Sequence, residues 1–288
     1  MRKSLKKSIS TRLIVIISVI IIGIGALISI FPYNSEVALI DNQEIPKAAI
    51  IDQLYSDIPN EDFHEKAIEY LEGAGYRVDI FTTNNVTVNL YKNLPEKNYK
   101  IVVIRSYGVS EKENDSVSIF TGEKYQEDKY VTEQLFGQLK KGKPLRELVG
   151  ISAQNNSTVF WSINSSEFFG TATKNGTKLA AHEYFVITPK FVKDSMNGRF
   201  QETIFLLAGS YTLENDSMAK SLVDRGASIV LGWDNEITNF DGDKIMLGLL
   251  EKILKENVKV KNAIEQIEQE FNSQDRFKNT TLKYYPRT

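Results

Sequence analysis

Four short, largely apolar runs, each closed by a glycine or a polar side chain, constrain this chain most. They are Ala48–Ile51, Ile101–Ile104, Ile204–Ala208 and Ser228–Leu231. Runs this short and this uniformly apolar read as strands buried on both faces, the signature of a parallel sheet. Tyr76–Phe81 supplies a further strand. Between the strands lie helical patterns. Asn60 caps a predicted helix over Glu61–Glu72, with Phe63, Ala67, Ile68, Tyr70 and Leu71 as its apolar stripe and Gly73 to Gly75 as its stop. A short helix is expected around Thr87–Leu94, another over Met218–Arg225 before Gly226, and two amphipathic ones over Asp241–Leu254 and Val260–Phe271. Leu282–Tyr285 reads as a closing edge strand. Such βα alternation predicts an α/β fold with right-handed crossovers and helices on both faces of the sheet.

One interval breaks this rhythm. Residues 108–199 form a long insert in which Val117–Thr121 and Thr158–Ile163 alternate apolar and polar residues, predicting an accessory hairpin or small sheet. Lys129–Leu139 is expected to be helical, as is Pro189–Met196 with its proline in the first turn. An insert of this length over a site shapes recognition more than core.

Chemistry in open parallel sheets gathers beyond the carboxyl ends of the strands. Two such ends stand out: Tyr107-Gly108 after the run from Lys100, and Gly209-Ser210 after Ile204–Ala208. A third, Gly232-Trp233-Asp234, follows Leu231. Ser210 is either a nucleophile or a small residue that only fills its strand exit. Tyr107 either meets a ligand through its ring and hydroxyl or plugs the cleft. Gly108 and Gly209 either leave backbone N–H groups for an oxyanion or serve tight strand exits.

These segments resemble the caspase-like (caspase–haemoglobinase) fold, the group that includes gingipains, legumain and separase. Phe185–Gly198 and Met218–Trp233 further resemble uncharacterised archaeal membrane-anchored members, and the likeness covers roughly residues 46–286. The resemblance implies a three-layer sandwich with a mostly parallel central sheet and an accessory β insert. It also implies a base at position 107, a nucleophile at position 210, and binding contributed by Gly108, Gly209, Trp233 and Asp234. Peptidases of this type carry His and Cys at the two reactive positions; this chain carries Tyr and Ser. A serine hydroxyl needs an adjacent base, and a phenol with a reference pKa near 10 is protonated at neutral pH. The chain has no cysteine, so thiolate chemistry is excluded. The resemblance further implies that an acidic residue near position 234 faces a basic side chain; the plainer reading of Asp234 is a solvated loop aspartate.

The amino terminus points to a membrane. Leu13–Phe31 is nineteen residues without a charge, about 28 Å as a helix and close to bilayer thickness. Arg2, Lys3, Lys6, Lys7 and Arg12 precede it with no acidic residue, which places residues 1–12 in the cytoplasm and everything after Phe31 outside. A cleaved signal peptide would need a shorter apolar stretch and a small-x-small site. The expected organisation is a basic segment 1–12, an anchor 13–31 in the bilayer, a tether 32–46 and an ectodomain 47–288. All 37 acidic residues but only 30 of the 35 basic ones follow Phe31, a formal charge near −7, which argues against nucleic acid. Eight Asn-x-Ser/Thr sequons, at Asn85, Asn114, Asn155, Asn156, Asn164, Asn175, Asn215 and Asn279, suit an extracytoplasmic surface.

No cofactor is expected. A glycine-rich phosphate loop is absent from the sequence, and His64 and His182 are its two histidines, which argues against a metal centre. Asp234, Glu236, Asp241 and Asp243 lack the spacing of a dedicated Ca²⁺ loop. The leading expectation is a membrane-anchored domain without the reactive pair that works by binding a peptide or protein. The alternatives are a serine hydrolase in which His182 or a water network serves Ser210, and a structural surface protein with no ligand cleft.

Overall fold

The computed structural model describes residues 45–111, 116–142, 173–174, 177–178, 183–272 and 279–286. The expected anchor at 13–31, nearly all of the tether, the strand at Thr158–Ile163, His182 and five of the sequons lie outside them. Among the described residues no helix is long and apolar enough to cross a membrane.

The core is a mixed six-stranded sheet. Its strands are β1 (Lys47–Asp52), β2 (Arg77–Thr82), β3 (Tyr99–Arg105), β10 (Thr203–Leu207), β11 (Ala227–Trp233) and β12 (Leu282–Tyr285), in spatial order β12-β11-β10-β3-β1-β2. All pairings are parallel except β11 with β12. The chain leaves β1 for the β2 edge and then crosses back, so β3 lies on the other side of β1. The strand order therefore reverses between β1 and β3, where open sheets of this kind have their crevice.

Alternate residues of these strands feed two cores. One face carries Ala49, Ile51, Val102, Ile104, Phe205 and Leu207 against α2 (Val88–Lys92), α4 (Pro189–Asp194) and α5 (Ser217–Asp224). The other carries Ala48, Ile50, Ile101, Val103, Leu206 and Leu231 against α1 (Glu61–Gly73), α6 (Asn239–Leu250) and α7 (Val260–Asn272). Burial on both faces explains the unbroken apolar runs. α1 begins where Asn60 Oδ1 accepts the Phe63 N–H at 3.1 Å, and Glu61 and Asp62 meet the positive end of its dipole. α6 starts at Asn239, capped by the Thr238 hydroxyl, and ends at Leu250 in a π-helical turn over Glu251–Lys255. Together the two cover the expected Asp241–Leu254 helix, with its last turn π-helical.

The insert contributes a second, antiparallel sheet in the order β4-β5-β9-β6. Its strands are β4 (Gly108–Glu111), β5 (Ser116–Lys124), β6 (Leu139–Gly142) and β9 (Tyr184–Ile187). The expected helix over Lys129–Leu139 is only α3 (Val131–Leu135). Gly137, at φ +67°, ends that stretch, and Leu139–Gly142 pair with β9 instead. A two-stranded hairpin of β7 (Thr173–Lys174) and β8 (Thr177–Lys178) completes the described strands.

Candidate functional site

The carboxyl ends of β1, β3, β10 and β11 meet on one edge of the main sheet. β3 and β10 are hydrogen-bonded neighbours, with Ile104 opposite Leu207, so Tyr107-Gly108 and Gly209-Ser210 leave the sheet side by side. The two exits touch through their backbones. A Cβ added at Gly209 would overlap the Ser106 carbonyl oxygen, and one added at Gly108 would overlap that of Ser210. Glycine at both positions is therefore required by close approach, whatever chemistry follows.

The side chains then diverge. Tyr107 turns to the accessory sheet, where its ring meets Phe120 edge-on at 6.3 Å beside Val109, Tyr184 and Val186. Ser210 turns to the loop before α6. Its hydroxyl donates to the Ile237 carbonyl at 2.9 Å and accepts the Ile237 N–H at 3.0 Å. Neighbouring bonds extend this seam: Tyr211 N–H to Asn235 O at 3.2 Å, and Leu213 N–H to Trp233 O at 2.8 Å. Thr212 Oγ1 donates to Gly209 O and accepts the Trp233 N–H. Both hydrogen-bonding functions of Ser210 thus join β10 to the segment after β11.

Among the described residues the Ser210 hydroxyl is committed to these two bonds. Its proton points at an amide carbonyl, which is far too weak a base to accept it. No imidazole or carboxylate is hydrogen-bonded to Ser210 Oγ among the described residues. Tyr211 follows in the left-handed region at φ +60°, an uncommon conformation for a side chain of its size. Burial, with the charges of Glu236 and Glu214 added, holds its phenol above the ordinary tyrosine value.

Trp233 is buried against Ile245, Ile267 and Leu282, and its Nε1–H makes no hydrogen bond among the described residues. Asp234 faces β12: its carboxylate accepts the Thr281 N–H at 2.7 Å and pairs with Lys283 Nζ at 3.1 Å. Of the six residues singled out in the sequence, the two glycines with the backbones of Tyr107 and Ser210 form one junction. Trp233 reaches it through Thr212, and the Asp234 carboxylate bonds elsewhere. The four acidic residues Asp234, Glu236, Asp241 and Asp243 also have divergent roles. Asp241 Oδ2 accepts from the Thr238 hydroxyl, and no group of three or more His, Asp or Glu among the described residues is arranged to hold a metal.

The sequence reading missed a buried polar cluster at the β1/β3 crevice. Asp52 and Arg105 are register partners at the ends of their strands. Arg105 Nη1 donates to both Asp52 oxygens at 3.1 and 3.2 Å, and its Nε donates to Asp243 at 2.8 and 2.9 Å. Asn60 Nδ2 donates to Asp243 Oδ2 at 2.8 Å, and the Leu54 N–H to Asp52 Oδ1 at 2.8 Å. His64 Nε2 lies 2.7 Å from Asp52 Oδ2. Asp52, Arg105 and Asp243 are at most 2% exposed. Burial works against the Arg105 charge, but Asp52 and Asp243 outweigh it and hold the guanidinium above its usual value. Burial pushes the Asp243 carboxyl up, against the pull of Arg105 and Asn60. Asp52, Asp243 and Arg105 sum to −1, so the two acids share one guanidinium. It fastens the ends of β1 and β3 to α1 and α6.

A signal for it did exist. Residues 101, 103 and 105 point one way, as do 48, 50 and 52, so a charge closing each apolar run falls on the same face of adjacent strands. Neither a protein-family model nor a curated protein matches this chain.

Proposed function

We propose that this chain is a membrane-anchored, extracytoplasmic domain of caspase-like type that has lost its reactive pair and acts by holding a peptide or protein segment. The observation that carries the reading is the hydroxyl of Ser210, held by both backbone groups of Ile237 at 2.9 and 3.0 Å, beside a strand exit that offers Tyr107. A nucleophile needs a free proton path to a base, and here that path ends on an amide. The 2-1-3 strand order with its crevice, the antiparallel last strand and the accessory sheet at the same edge support a binding role at the strand ends. The uncharged run at 13–31 and the basic residues before it support the anchor and its orientation.

Incubating the purified full-length protein with a peptide library tests the reading. The expected outcome is retention of a subset of peptides with none cleaved. Turnover that disappears in Ser210→Ala would overturn the loss of catalysis; absence of any retained peptide would overturn the binding role.

A further inference from the structure

Three sequons fall within the described residues, and all three lie at the carboxyl edge of the main sheet. Asn85 sits three residues beyond Thr82, the end of β2. Asn279 sits three residues before Leu282, whose register partner is Trp233 at the end of β11. Asn215 follows β10.

Their side chains differ. Asn85 is exposed on the 3-10 turn Thr83–Asn85, and its amide makes no hydrogen bond among the described residues. Asn279 is also exposed; its backbone carbonyl accepts from Asn235 Nδ2, and its side-chain amide makes no hydrogen bond among the described residues. Its hydroxyl partner Thr281 is exposed as well. Asn215 is half-buried, and its Oδ1 accepts the Ser217 N–H at 3.0 Å. Ser217 Oγ in turn accepts the Val117 N–H at 2.9 Å, so this third sequon is built into the joint between β5 and α5.

We infer that Asn85 and Asn279 carry N-linked glycans and that Asn215 does not. Transfer forms a bond from the asparagine Nδ2 to the anomeric carbon of a glycan carried on a lipid phosphate or pyrophosphate. The bond between that carbon and the phosphate oxygen breaks, the amide gives one proton to a base of the transferring enzyme, and the lipid phosphate leaves with the electron pair. At Asn215 an enzyme acting on the folded chain must first pull the amide out of its turn.

β2 and β12 are the two outer strands, five inter-strand spacings apart, on the order of 24 Å at about 4.8 Å each. Glycans at Asn85 and Asn279 therefore bracket the candidate cleft from both ends. They limit access to a segment narrow enough to pass between them.

The inference rests on the extracytoplasmic placement proposed above. The full chain, purified from its native membranes, is digested and mapped for glycopeptides by mass spectrometry. Intact cells are treated in parallel with a membrane-impermeant amine reagent. The expected result is lysine labelling from outside, glycan on the Asn85 and Asn279 peptides, and a bare Asn215 peptide. Asn85→Gln and Asn279→Gln each then remove one glycan from the intact mass, and Asn215→Gln removes none. Lysines labelled from outside with either of the two peptides bare, or with Asn215 modified, would overturn the inference alone. Lysines labelled only after lysis would overturn the placement and the glycans with it.

Discussion

Replacing Arg105 with methionine keeps the apolar stem and volume at the end of β3 but removes the one cation shared by Asp52 and Asp243. Both carboxylates stay buried, and four N–H···O contacts between 2.8 and 3.2 Å vanish. Removing one partner of a buried ion pair costs about 3–5 kcal/mol, chiefly from the charge left behind. For a domain of this size each kcal/mol lowers Tm by about 2–4 °C, so the expected loss is roughly 6–20 °C at neutral pH. The dependence on pH has a definite sign. Burial already holds the Asp243 carboxyl above its usual value, and without Arg105 its folded-state pKa stands further above the unfolded value near 3.9. The folded state then binds more protons than the unfolded one, so stability falls as pH rises between those values. The deficit relative to the wild type must therefore shrink on acidification. Thermal unfolding of the detergent-solubilised full chain, followed by circular dichroism from pH 4 to 8, measures it. A Tm within about 2 °C of the wild type at pH 7, or a deficit that does not change with pH, would refute the reasoning. Asp52→Asn and Asp243→Asn added to Arg105→Met should recover most of the loss, because neutral amides leave no buried charge.

Other consequences can be checked on the same preparation. Ser210→Ala leaves both backbone groups of Ile237 without their partner and should cost about 1–3 kcal/mol in denaturant unfolding; an unchanged midpoint would argue against the seam between β10 and α6. Gly209→Ala forces the β3 and β10 exits apart and should cost at least as much as a typical over-packed core, about 1–3 kcal/mol or more, so a neutral substitution would contradict the close approach at Ser106. Asn60→Ala loses the α1 cap and a bond to Asp243, an expected loss of about 1–2 kcal/mol, with Asn60→Asp retaining the cap but setting another charge against Asp243.

Much of this architecture was legible in the residues because burial imposes it locally. Ala48–Ile51, Ile101–Ile104 and Ile204–Ala208 are continuous because helices cover both faces, and Asn60 and Gly73 bound α1 through interactions with nearest neighbours. The insert was harder. β9 lies about sixty residues beyond β5 and takes its place by pairing alone, and the propensity of Lys129–Leu139 yields to Gly137 and to the ladder with β9. At the candidate site, position 210 was identifiable as a strand exit, but its bond to Ile237, 27 residues on, was not. The ion cluster has the same cause: Asn60 and Asp243 are 183 residues apart, and only tertiary packing joins them.

The central claim is that Ser210 is a structural joint with no activated oxygen. Treating the native full-length protein with a fluorophosphonate, which phosphonylates an activated serine oxygen with loss of fluoride and the serine proton, and mapping adducts by mass spectrometry addresses it directly. The account predicts an unmodified Ser210 at concentrations that fully label a serine hydrolase control. Stoichiometric modification of Ser210 in the folded protein, lost on denaturation, would contradict it.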